Sequence, residues 1–184
     1  MLAGLVDRAQ EGDKEAFSTL AQLLGDRCMA IAFRILRDAD LAADAVQTAL
    51  VTAWRELPAL RDRDRFEPWL YRALVRICYA EAKRRRRSMP SIIDFPESRN
   101  DQRDAFLTVE DRDQLERGFR RLSPEQRAVL VFHHYLGMSV ADIAAQLGIP
   151  LATAKSRLRY GTAALRGALE ADARTPAYSK ERPA

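Results

Sequence analysis

Reactive side chains are scarce in this chain. It has two cysteines and two histidines in 184 residues. Cys28 and Cys78 stand far apart and outside any CxxC or His-bearing zinc spacing; each lies in an apolar helical stretch, which favours buried structural thiols over a disulfide or a metal site. His133 and His134 are adjacent, so on a helix they diverge by about 100° and do not chelate one metal together. There is no HExxH, no Gly-rich phosphate loop and no Gly-x-Ser-x-Gly. The carboxylates fall on exposed helix faces among arginines, without the apolar isolation that tunes a general acid. Long hydrophobic runs are also missing: no apolar stretch approaches the roughly 20 residues of a membrane span, and the first residues carry no basic segment followed by a long apolar core. These absences lead us to expect a cytoplasmic, non-catalytic protein with no cofactor, no metal and no membrane insertion.

What is present is ordinary globular composition with an uneven charge. Hydrophobic residues make up 47% and charged residues 30%, and the net charge is +4. Residues 1–60 hold 6 basic against 9 acidic residues, residues 61–87 hold 10 against 4, residues 88–122 hold 6 against 8, and residues 123–184 hold 8 against 5. Two basic zones separated by acidic chain suggest two places that meet phosphate.

Residues 123–169, SPEQRAVLVFHHYLGMSVADIAAQLGIPLATAKSRLRYGTAALRGAL, carry the plainest signal. Ser123, Pro124 and Gln126 form a capping box with proline at the first helical position, predicting a helix that runs to Gly137. Ser139 with Asp142 repeats the pattern, and Val140, Ile143, Ala144 and Leu147 share one face of a short second helix ended by Gly148. After Gly-Ile-Pro, Ala154, Leu158, Leu165 and Leu169 keep an inward face, leaving Lys155, Ser156, Arg157, Arg159 and Tyr160 around the outside. Two short helices at a sharp turn, the second basic on its free side, read as a helix-turn-helix aimed at a DNA major groove.

Upstream, Leu2, Leu5, Val6 and Ala9 predict one helix, and Gly12-Asp13 its end and the cap of the next. In that second helix Phe17, Leu20, Leu24, Ile31 and Ile35 point inward through about Leu36, with Arg27, Arg34 and Arg37 outside. Asp38 or Asp40 caps a third, in which Leu41, Ala45, Ala49, Ala53 and Leu57 align before Pro58 stops it. Its other face offers Asp44, Gln47, Val51 and Trp54, which fits either a solvated face with one core tryptophan or a partner-docking surface. A fourth helix follows the alternating loop RDRDR, residues 61–65. Leu70, Leu74 and Ile77 face inward, while Arg72, Arg76, Tyr79 and Lys83 share a free face continuing into the arginines at 84–87. A charge run is often only solvated, but cations interleaved with a ring suit a single-stranded nucleic acid, whose bases stack at roughly 1–3 kcal/mol each. Phe66 and Trp69 fit the core, a base platform, or one of each.

Periodicity vanishes over residues 88–107, which predicts a flexible linker. Twenty extended residues reach roughly 65–70 Å, on the order of twenty base pairs of duplex, so the two basic zones can sit two turns apart. Thr108 with Asp111 opens another helix, whose Leu115, Phe119 and Leu122 are expected to scaffold the helix-turn-helix. Residues 171–184 read as a disordered tail. The expected fold is all-α, two small helical domains at 1–87 and 108–170 joined by the 88–107 linker.

The ordered motifs resemble those of the extracytoplasmic-function sigma factors, the promoter-recognition subunits of bacterial RNA polymerase that keep only conserved regions two and four. Gly12-Asp13 with Ala16-Phe17 resembles the start of region two; DLAADAVQTAL at 40–50, closed by Trp54, resembles the segment that docks on the polymerase clamp helices. FEPWLYR at 66–72, running into the basic string at 83–87, is similar to the part that melts and reads the minus-ten element. LSPEQR at 122–127 and TAKSRL at 153–158 resemble the opening and recognition helix of region four, a helix-turn-helix of the winged-helix-like DNA-binding class. The resemblance implies core RNA polymerase (largest-subunit clamp helices and flap) and promoter DNA as partners, with an anti-sigma factor as a further one. It implies polymerase contacts at Asp44, Gln47, Val51 and Trp54. Minus-ten contacts are implied at Arg65, Phe66, Trp69, Arg72, Arg76, Tyr79, Lys83 and Arg84, with the loop 59–65 helping to hold an extruded base. Minus-thirty-five contacts are implied at Thr153, Lys155, Ser156, Arg157 and Arg159. Arg76 and Ala80 stand where many members have Asn and Asp, Thr48 stands at an often acidic position, and Ala152 and Ala154 replace a commoner Gly and Val. On the residues alone, the competing reading is a free-standing helix-turn-helix regulator whose N-terminal helices dimerise or sense.

Overall fold

The computed structural model describes residues 2–88 and 109–173, and these residues form helices and turns without a strand. Helix α1 (Leu2–Gln10) ends at Gly12, whose φ of 93° suits only glycine, and Asp13 then caps α2 (Lys14–Leu36) by accepting from the Glu15 and Ala16 amides. Those bonds favour the carboxylate: the Ala16 amide first, then Arg8, hold the Asp13 pKa below its ordinary value. Along α2 the buried residues Ala16, Leu20, Leu24, Cys28, Ile31 and Ile35 recur every three or four positions, the stripe that a core-facing helix needs.

Asp38, rather than Asp40, caps α3 (Ala39–Glu56) through the Leu41 amide. Its buried face is nearly all alanine, Ala42, Ala45, Ala49 and Ala53, so α3 lies close on its neighbours α2 and α4. A turn at Leu57–Ala59 and another at Arg63–Arg65 lead into α4 (Phe66–Ser88). Gln10 fastens the first turn by donating to the carbonyls of Leu57 and Leu60. Helix α4 is tied to α2 at one point by a shared oxygen, Glu67 Oε1, which accepts from Tyr71 Oη at 2.7 Å and from Arg27 Nη1 at 2.9 Å.

In the second half, α5 (Val109–Arg120) precedes α6 (Pro124–Leu130), whose capping box has both reciprocal bonds between Ser123 and Gln126. The predicted continuation to Gly137 is only partly regular, since Val131–Tyr135 widens into a π turn, where His133 Nδ1 lies 2.9 Å from the Met138 carbonyl. Helix α7 (Val140–Leu147), capped by Ser139 and closed by Gly148 at φ 65°, precedes the long α8 (Leu151–Ala173). Helices α5, α6 and α7 all pack on α8. Gly118 on α5 lets α8 come close: a Cβ there would stand 2.4 Å from Leu165 Cδ1, so that side chain would have to move.

The two halves touch. Ala128, Val129, Val131, Phe132 and Ile143 belong to the same buried cluster as the α1–α4 core, and α6 packs on α2 and α4 while α7 packs on α4. This contact corrects the placing of Arg37 on the outside. Its side chain is 9% exposed, lies over the Phe33 ring and is paired with Glu116 of α5. The 88–107 linker, beyond Ser88, and the Thr108 cap lie outside the described residues. Helix α8 passes residue 170 to reach Ala173, and the rest of the predicted tail lies outside as well.

Candidate nucleic-acid interface

Three surfaces hold the residues named from sequence. On α3, Asp44 and Gln47 are exposed, Val51 is 45% exposed, and Trp54 is half-buried, edge-on to Phe17 at 5.0 Å between ring centroids. The face is thus solvated along one row and packed at its tryptophan. The tryptophan anchors α3 to α2, and the row beside it presents carboxylate, amide and methyl groups outward.

On α4 the helical spacing does gather Arg72, Arg76, Tyr79 and Lys83 on one side, but that side is free only in part. Arg76 and Lys83 are exposed, and Arg84 is exposed and paired with Glu81 at 2.7 Å. Tyr79 is largely covered, and its hydroxyl is buried without a hydrogen-bond partner. Burial raises its pKa strongly, the Arg157 charge opposing. Arg72 has its Nε buried and unbonded, and its Nη2 would be 3.0 Å from a Cβ at Gly148. Gln146, at the end of α7, donates to the Pro68 carbonyl. The C-terminal half thus covers part of the face expected to be open.

At the start of α4, Phe66 is 1% exposed and sits in the core, so its ring is not presented at the surface as a base platform would be. Its first-turn position fits either fate, and the packing of α4 on α3 decides for burial. Trp69 is half-buried, with its ring centroid 6.0 Å from that of Phe66, and keeps one side outward. Arg65 is exposed and paired with Asp62, whereas Arg63 in the same loop is drawn back by Asp7 and Gln10.

On α8, Lys155 and Arg159 are exposed, and Thr153, Ser156 and Arg157 are half-buried. Ser156 donates to the Thr153 carbonyl at 3.0 Å. Arg159 lies over the Tyr160 ring, 4.6 Å from its centroid, and donates to its hydroxyl at 2.8 Å, so the exposed Tyr160 orients a cation. The Arg157 charge is near enough to help hold the Glu125 carboxyl down. Burial alone would raise that group, but the backbone amide, Ser123, Arg86 and Arg157 together outweigh it. Sequence reading missed Gln146 as a bridge and Tyr160 as a support. The second was legible as a neighbour of Arg159, while the first depends on a contact 78 residues away. Among the described residues no group of three or more metal-ligating side chains occurs, and no helix is long and apolar enough to cross a membrane.

Compared with known proteins, residues 20–88 match the family model for sigma-70 region 2 and residues 112–165 that for sigma-70 region 4. The chain is 34% identical over 169 residues to the ECF RNA polymerase sigma factor SigL of Mycobacterium tuberculosis, spanning 86% of this chain and 94% of that one. It is 28% identical over 178 residues to the RNA polymerase sigma-H factor of Pseudomonas aeruginosa, spanning 90% and 92%. In fold it resembles the sigma factor RpoE in its complex with the anti-sigma factor NepR from Bartonella quintana. That match has a TM-score of 0.65 at 23% identity, covering 85% of this chain and 98% of that one.

Proposed function

Because this chain belongs to the extracytoplasmic-function sigma factors of the sigma-70 family, we propose a division of promoter recognition between its two halves. It is a non-catalytic, promoter-specific transcription initiation factor that works with RNA polymerase. In our reading, Asp44, Gln47, Val51 and Trp54 dock on the polymerase clamp helices. Helix α8 reads a duplex minus-thirty-five element through Thr153, Lys155, Ser156, Arg157 and Arg159, by hydrogen bonds to guanine edges and by phosphate contacts that set register. Helix α4 opens the minus-ten element, with Arg72, Arg76, Lys83 and Arg84 along the strand and Trp69 and Tyr79 as ring surfaces for unstacked bases. The functional units are residues 1–87 and 108–170. The site of action is the cytoplasm, at the nucleoid when polymerase is bound, and an anti-sigma factor is a further partner.

One observation carries this reading: two basic helices, α4 and α8, lie on separate halves, and a third exposed face on α3 is left for the polymerase. In the packed arrangement the Arg157 charge reaches Tyr79 across the seam, and Gly148 stands at Arg72. Candidate readers of both elements are therefore partly covered by the opposite half, and the halves separate before the promoter is fully engaged. Run-off transcription with core enzyme tests the function. Arg157→Ala lowers duplex minus-thirty-five binding, whereas Arg76→Ala spares initial promoter binding and impairs opening. Equal loss of duplex binding in both variants contradicts the division.

A further inference from the structure

A cleft of about 530 Å³ opens along the seam, where the end of α4 meets the corner between α5 and α6. Five arginines line it: Arg85 and Arg86 from α4, Arg120 and Arg121 at the α5 end, and Arg127 from α6. The remaining wall is largely apolar, with Leu36, Leu41, Leu122 and Pro124. Asp38 neutralises Arg85 at 2.7 Å, and Arg127 gives Nε to the Leu122 carbonyl and Nη1 to the Ile35 carbonyl. Arg86, Arg120 and Arg121 form no ion pair with a carboxylate among the described residues, although Glu125 stands within electrostatic reach of Arg86.

Two buried arginines feel their cationic neighbours. Burial first, and then Arg86, lower the Arg127 pKa to about 10 against the partial relief of Glu125. Behind the wall, Arg37 falls to about 10 through burial and then Arg127, Arg120 and Arg34, and its buried Nε has no partner despite the pairing with Glu116. Like charges gathered beside apolar walls are costly unless something neutralises them. Two carboxylates at the margin, Asp38 and Glu125, do not balance five cations.

We propose that this cleft binds a small phosphorylated ligand with at least two phosphates, of the pyrophosphate or nucleoside triphosphate type, which bridges α4 to α5 and α6. Guanidinium forks match phosphate oxygens in paired hydrogen bonds, and several arginines contributed by three segments to one cleft suit several phosphate groups. The volume lies within the roughly 300–1,000 Å³ of small-molecule sites. Since both halves contribute lining residues, occupancy favours the packed arrangement over the separated one.

Calorimetric titration of the full chain with pyrophosphate, ATP, orthophosphate and AMP at constant ionic strength tests this. Pyrophosphate and ATP should bind at least about tenfold more tightly than orthophosphate and AMP. Arg86→Ala, Arg120→Ala and Arg121→Ala should each weaken pyrophosphate about fivefold or more, while Arg166→Ala, on exposed α8 surface away from the cleft, leaves it unchanged. Equal affinities for pyrophosphate and ATP assign the site to the phosphate chain, and a stronger ATP response assigns it to the nucleotide. No binding at millimolar concentration, no preference for two phosphates, or an equal loss in Arg166→Ala overturns the proposal. Circular dichroism of each variant confirms that the fold is retained.

Discussion

The two halves bury themselves by different means. Helices α1–α4 enclose large side chains of their own, Leu20, Ile31, Ile35, Leu57, Phe66, Leu70 and Leu74, each at most 1% exposed. The C-terminal half is smaller, and several of its buried positions are alanines, Ala128, Ala144, Ala154 and Ala168. Two of its largest buried side chains, Phe132 and Ile143, join the core of the first half. A helix-turn-helix that keeps a basic helix exposed has little apolar surface left for its own interior, so it leans on its neighbour. The seam is then both a source of stability and a cover over part of the faces proposed to read DNA.

This comparison breaks most readily at Phe132. Phe132→Ala should cost about 3–5 kcal/mol in denaturant unfolding, and the loss should appear in tryptophan fluorescence, because Trp54 and Trp69 both lie in the N-terminal half. An unchanged fluorescence midpoint would mean that the halves are independent. Next in size is Gly148→Ala, which puts a side chain into the left-handed region and a Cβ 3.0 Å from Arg72 Nη2. It should cost about 1–2 kcal/mol and loosen the seam as well as the helix-turn-helix, read by thermal melting.

A smaller effect is expected of Gln146→Ala, which removes the bond to the Pro68 carbonyl and hence about 0.5–1.5 kcal/mol of the packed arrangement. Binding of a single-stranded minus-ten oligonucleotide should tighten severalfold, as measured by anisotropy; weaker binding would show that Gln146 helps contact the strand. The smallest effect sharpens the contrast from the core side. Burial, with Glu67 a lesser cause for Cys28 and Cys28 and Glu81 lesser causes for Cys78, raises both thiols to about 12 from an ordinary 9.0. The unfolded chain therefore loses these protons first. Their contribution is intact below about pH 9 and declines as pH rises toward about 12. At pH 8 both thiols should resist a disulfide reagent in the native chain and react once urea unfolds it; rapid native reaction would show that the α2–α4 core opens readily.

Local features were legible in the sequence because local chemistry decides them. Asp13, Asp38, Ser123 with Gln126, and Ser139 all cap the helices that follow them. Gly148 ends α7 with a positive φ, and the alanine stripe of α3 turns inward. Two of the features read less well lie where distant segments meet. Arg37 was placed outside because helical spacing cannot foresee Glu116, 79 positions away. The free face drawn through Arg72 and Tyr79 was correct in register, yet α7 and α8 partly cover it. Phe66 illustrates a different limit, since a first-turn aromatic suits core and surface equally until its neighbours are known. The π turn at Val131–Tyr135 had no local signature among otherwise helical residues.

In the proposed division of promoter recognition, the halves pack in the free protein and separate on the promoter. Spin labels at Ala43→Cys on α3 and Ala141→Cys on α7, both exposed positions, would report this directly, since Cys28 and Cys78 are buried. The account predicts one narrow distance distribution in the free chain and a longer one in the complex with core polymerase and promoter DNA. A broad distribution in the free chain, or an unchanged narrow one in the promoter complex, would contradict it.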